Sequence, residues 1–176
     1  MKAILLLALT VFLGAAQQAA ACKCRRNPEA PPEGSEAAII ASLSDSGAVF
    51  TGQVVSLQSR LRLLFRIPLY LFLTRGGREI SDEEEDRLFR RRVRLKVEQS
   101  FAGGAKGEVV LYTGWGGGDC GYGFHRGARY LVDASASDGL LFTTICSDTK
   151  PIEKAAAELA ILQRIGKAQA VRHPDP

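Results

Sequence analysis

The sequence predicts a mainly β domain, a small antiparallel barrel of about five strands followed by a late helix. Three observations predict it. Short runs rich in Val, Phe and Thr alternate in polarity, Gly- and Asp-rich turn signals recur roughly every 8 to 12 residues, and one amphipathic segment stands near the C-terminus. A two-sheet sandwich has the same periodicity and stays open on this reading. A barrel of the oligonucleotide/oligosaccharide-binding type is one candidate.

The first 21 residues read as an export signal. Lys2 supplies a short positive region, Ala3 to Gly14 is apolar, and Ala19-Ala20-Ala21 is a small-residue cleavage site. The apolar run falls short of the roughly 20 residues a membrane-crossing helix needs. Cleavage after Ala21 is therefore expected, giving a secreted, extracytoplasmic chain of 155 residues that begins at Cys22. Ala19-Ala20-Ala21-Cys22 also resembles a weak lipoprotein signal, so a lipid anchor at Cys22 is the alternative. One domain is expected over 22–166, with 167–176 as a flexible tail.

Cys22-Lys23-Cys24 follows, and the chain's four cysteines read as two disulfides in an exported protein. A Cys22–Cys24 bridge would close a strained ring across one residue, so each reaches Cys120 or Cys146, in an order left open by geometry. A bound metal is not expected, because His125 and His173 have no ligand-like spacing to a cysteine. Residues 27–35 hold three prolines and a glycine and read as a stiff connector. Glu36 to Leu43 reads as a short helix, and Ala48 to Gln58 as a strand with a bulge or bend at Gly52.

Leu61 to Leu73 is strongly apolar but interrupted by Arg62, Arg66 and Pro68. Partial alternation predicts a hairpin arm or a continuation of the preceding strand. Its exposure would make it a peripheral contact for a membrane or a protein partner. The acidic run Asp82 to Asp86 with the following arginines reads as a solvated face without the spacing of a calcium loop. Arg92 to Phe101 and Glu108 to Thr113 are strands. Gly114 to Gly123 is a glycine-dense loop lacking the ending of a phosphate loop. Arg129 to Ala134 and Leu140 to Cys146 are strands joined through Ser137-Asp138-Gly139. Pro151 to Ile165 is expected to be a helix with Gly166 as its C-terminal cap.

A net charge of +4, falling to +3 without Lys2, the lack of a broad basic face, and aromatics that sit mostly in apolar or glycine-rich contexts argue against nucleic acid as a partner. No spacing suggests a catalytic triad, a Cys-His pair or paired acids, so neither an enzyme nor a cofactor is expected.

The chain resembles the N-terminal, netrin-like domain of tissue inhibitors of metalloproteinases. The resemblance rests on the Cys-x-Cys, on Val49-Phe50-Thr51-Gly52, on Cys120-Gly121-Tyr122 with Phe124-His125-Arg126, and on Thr143-Thr144-Ile145-Cys146-Ser147. It implies a five-stranded antiparallel barrel of the oligonucleotide/oligosaccharide-binding type, with Cys22 bonded to Cys120 and Cys24 to Cys146. It also implies inhibition of a zinc metalloprotease, in which the free amine and carbonyl of Cys22 chelate the target's zinc beside Lys23 and Cys24. Trp115 and Tyr122 form a candidate contact ridge, with core packing as the alternative for Trp115. The third disulfide and the C-terminal domain of those inhibitors have no counterpart here, and Lys23 replaces their small hydroxyl residue. A netrin-like binding module without protease inhibition is the alternative function.

Overall fold

The strand expected from Ala48 is the centre of the architecture. The computed structural model describes residues 22–24, 28–32, 34–59, 61–75, 79, 81–116 and 118–172, and the expected export signal lies outside them. In chain order the elements are α1 (Glu36–Asp45), β1 (Ala48–Leu57), α2 (Leu61–Thr74), α3 (Asp82–Phe89), β2 (Arg91–Ala102), β3 (Glu108–Thr113), β4 (Arg129–Ser137), β5 (Leu140–Phe142), β6 (Lys150–Pro151) and α4 (Ala156–Arg172).

The strand order is β1-β2-β3-β5-β4, and β4 pairs back onto β1, closing a five-stranded barrel with β6 added beside β4. The pairings are antiparallel except β3 with β5, where Leu111 and Tyr112 lie parallel to Leu141 and Phe142. The purely antiparallel barrel expected from the sequence is corrected on this point. Parity explains the correction, because a closed ring must contain an even number of antiparallel pairings, so five strands need at least one parallel pair.

Side chains on alternate positions build two cores. Phe50, Val54, Val93, Leu95, Leu111, Tyr130 and Val132 fill the barrel, while Val49 and Leu131, pointing outward, meet Ile39 of α1, Ala155 just before α4 and Leu162 of α4. Covering both faces of β1 is why its first five residues are all buried rather than alternately so. Register shifts flank Gly52, as its place in the strand suggested. Asp138 (φ 51°) and Gly139 (φ 75°) make the two-residue turn between Ser137 and Leu140, a left-handed pair that Asp-Gly accommodates well.

Three local expectations are corrected, and the acidic run gains a secondary structure. Leu61 to Leu73 is neither a hairpin arm nor a strand continuation but lies within helix α2. Its partial alternation is too short to decide, fourteen Leu-rich residues favour helix, and the β1–β2 pairing has already ended near Leu57 and Val93. The acidic run, whose Glu84 and Glu85 are exposed as a solvated face requires, starts helix α3, where Ser81 Oγ accepts the Glu84 N–H at 3.3 Å and the acids sit at the positive helix end. The strand expected to reach Cys146 ends at Phe142. Finally, the last helix starts at Ala156, after a 3-10 turn over Ile152–Lys154, because Pro151 is engaged beside Tyr130. It passes through Gly166 and continues to Arg172, so the expected tail is helical over residues 167–172, with 173–176 outside the described residues. A glycine inside a helix costs about 1 kcal/mol relative to alanine, a cost its Ala-rich surroundings offset.

Candidate functional site: the twice-bridged N-terminal segment

The parallel β3–β5 pair sends both strands out at the same end of the barrel. The loop after β3 carries Cys120 and the loop after β5 carries Cys146, so the one parallel pairing brings the two cysteines together. The loops are joined by a bridge between Gly121 and Thr144, and the Ile145 N–H donates to the Cys120 carbonyl at 2.9 Å.

The segment 22–24 is fastened across this pair of loops. Cys22 is bonded to Cys120 with Cα atoms 5.3 Å apart, and Cys24 to Cys146 with Cα atoms 5.2 Å apart, the order that the resemblance implies. The sulfurs of Cys22, Cys120 and Cys146 lie within 4.8 Å of one another, so the two bridges are neighbours. All of these sulfurs are engaged in bridges. Cys22 is half-buried, whereas Lys23 and Cys24 are exposed.

Asp119 shapes the loop that presents Cys120. Its carboxylate accepts the N–H groups of Trp115 at 2.6 Å, Gly116 at 2.9 Å and Gly121 at 3.1 Å. Partial burial pushes its pKa up, but the combined pull of these donors outweighs burial and holds the carboxyl below its ordinary range. Cys120 itself has φ 56°, a left-handed conformation that the surrounding bonds maintain. Gly121 packs against the backbone of Gly114 so closely that a Cβ there would collide with it. The second loop is tied down by Thr143, whose Oγ1 donates to the Asp133 carbonyl at 3.0 Å and lies 2.6 Å from Ser147 Oγ. Sequence reasoning missed Asp119, although an acid two residues before a glycine and five after another is the kind of short polar side chain that organises turns.

Trp115 and Tyr122, the candidate contact ridge, are both half-buried. The indole N–H of Trp115 donates to the Phe89 carbonyl at 2.5 Å, tying the loop to the end of α3, and the Arg91 guanidinium lies 5.9 Å from its ring. Tyr122 packs on Phe124 and Tyr130, with centroids 4.7 and 5.9 Å away, and burial pushes its hydroxyl up to about 12. Tyr122 packs against the barrel core. A residue not anticipated beside the bridges is Ile145, which is 46% exposed next to Cys146 and gives this end an apolar element.

Compared with protein-family models and with curated proteins, the chain matches none.

Proposed function

We propose that this chain is a secreted relative of the inhibitory domain of tissue inhibitors of metalloproteinases. On this reading it blocks a zinc metalloendopeptidase through the amine and carbonyl of Cys22. The observation that carries the reading is the segment Cys22–Cys24, bonded at both cysteines to adjacent loops while Lys23 between them is exposed. Once residues 1–21 are removed, the Cys22 amine and carbonyl oxygen can close a five-membered chelate on a target's zinc, displacing the water it activates. The bridges order this segment during folding, so little further entropy is lost on docking. Lys23 then enters the target's pocket beside the metal, and Ile145 adds apolar contact at the rim. A strand order in which β5 inserts between β3 and β4 supports the oligonucleotide/oligosaccharide-binding type of barrel, a five-stranded Greek-key form. The bridge to Cys120 uses the Cys22 sulfur that a lipid thioether would need, which favours the free secreted form.

The amine must be unprotonated to bind zinc, and its ordinary pKa is about 7.7 to 8.0, so inhibition should strengthen as pH rises from 6 to about 8. The test compares the mature protein with a form carrying one extra alanine before Cys22, against a panel of zinc proteases. Inhibition by the mature form and its loss on extension are expected. No inhibition by the mature form, or equal inhibition by both, rejects chelation. A netrin-like binding module is then the better reading, and the exposed apolar side of α2 is the observation that favours it.

A further inference from the structure

Among the described side chains, the contacts of helix α2 lie on one side. Arg66 donates to the Leu88 carbonyl at 2.9 Å, Tyr70 packs edge-on against Phe89 with centroids 4.9 Å apart, and Leu73 and Thr74 are half-buried. At helical spacing these four residues share one side. The rest of the circumference from Phe65 onward carries Phe65, Ile67, Pro68, Leu69, Leu71 and Phe72, every one exposed, Phe65 and Phe72 to 74%. Among the described residues this side carries no charge and no polar side chain, unlike a protein-docking helix, whose apolar centre normally has a polar rim. At fourteen residues α2 is too short to span a bilayer, and no described helix is long and apolar enough to do so.

At the root of α2 lies a cleft of about 480 Å³ lined by Ser56, Leu57, Gln58, Ser59, Arg66, Arg92 and Arg94. Among the described residues no acid lines it. Arg94 is paired with Glu108 outside the cleft at 2.6 Å, and the buried amide nitrogen of Gln58 has no hydrogen-bond partner. Arginines and an unmatched donor are the chemistry that receives a phosphate. Arg66 belongs both to α2 and to the cleft.

We propose that the two features form one site, at which α2 lies in a membrane surface and the cleft receives the phosphate of an anionic phospholipid. The chain from Arg60 to Arg75 contains four arginines and no acid, which suits that surface. Glu84 and Glu85 of neighbouring α3 are exposed, so net charge alone does not draw the protein in. The apolar side of α2 supplies binding, and the cleft supplies the choice of headgroup. This site is independent of the protease-inhibitor reading.

The experiment is co-sedimentation of the protein, purified from the exported fraction, with phosphatidylcholine vesicles with or without about a quarter phosphatidylglycerol. Binding to the anionic vesicles should be about tenfold tighter. F65S/F72S, at two exposed positions, should weaken both by at least about tenfold, and R92Q should abolish only the preference. At matched ionic strength, about 10 mM inorganic phosphate should leave vesicle binding within about twofold. F72W should be quenched by brominated lipid more than wild-type protein, whose one tryptophan is Trp115. Quenching no greater than wild type overturns the proposal. So does phosphate binding without vesicle binding, which would make the cleft a free-oxyanion site. A dimer dissolved by F65S/F72S, with no vesicle binding, overturns it in favour of self-association.

Discussion

Asp119 and Asp133 show how carboxylates of one chain acquire opposite roles from their surroundings. Asp119 is solvent-exposed yet receives three backbone N–H groups, which hold it below the ordinary carboxylate range despite its partial burial. Its contribution is therefore present above the unfolded pKa of about 3.9 and is lost as pH falls through the lower folded value. Asp133 is pushed up by burial, against the hydrogen bond donated by the Ser46 hydroxyl. Near the unfolded carboxylate pKa its folded form holds the proton more tightly, so stability falls as pH rises from there through the raised value. Asp119→Ala should cost about 1 to 2 kcal/mol at pH 7, toward the lower end for hydrogen bonds to a charge because the site is exposed. Urea unfolding at pH 7 checks it, and the difference from wild type should shrink toward pH 3. An equal difference at both pH values would mean that side-chain shape, not the anion, holds the Cys120 loop.

Helix α2 sits between β1 and α3 as an addition to the barrel rather than a part of it. Its described attachments are to α3, through Leu88 and Phe89, and its proline removes one helical hydrogen bond. Replacing residues 61–74 by a short Gly-Ser turn should leave the barrel folded, because shortening a surface connection changes closure entropy only slowly. A cooperative thermal transition within about 5 °C of the parent is expected, since these attachments reach α3 rather than the barrel core. Loss of cooperativity in that variant would show that α2 is needed to complete the core. The same element was the least legible in the sequence. Apolar alternation over seven residues imitates a strand, and only the length of the whole segment favours a helix. Helix α3 was more legible than its charge suggested, since Ser81 and Glu84 have the spacing of a capping box.

Across the whole molecule, closure of the barrel and the two bridges act on the same end. The bridges join residues 98 and 122 positions apart and connect the N-terminal segment to the loops following β3 and β5. Removing one of them in the C24S/C146S variant should cost about 2 to 4 kcal/mol, less than an isolated loop of that length would give, since the neighbouring bridge still closes most of it. Chemical unfolding of the oxidised proteins measures this. A loss below about 0.5 kcal/mol would mean that the barrel holds the segment in place without the second bridge.

The strands beginning at Ala48 and Glu108, the Asp-Gly turn and the presence, though not the bounds, of a final helix were determined by local pattern, because the alternation of Val and Phe and the φ demands of a tight turn act within a few residues. The cysteine content likewise made bridges foreseeable, but geometry along the chain left their order open. The tertiary structure brings Cys120 and Cys146 together by laying β5 parallel to β3, as a closed five-stranded ring must contain at least one parallel pair, and it joins Cys22 to Cys120 and Cys24 to Cys146. It also decided which side of α2 faces outward, since that depends on Leu88 and Phe89, residues distant in the chain and brought beneath the helix only by folding.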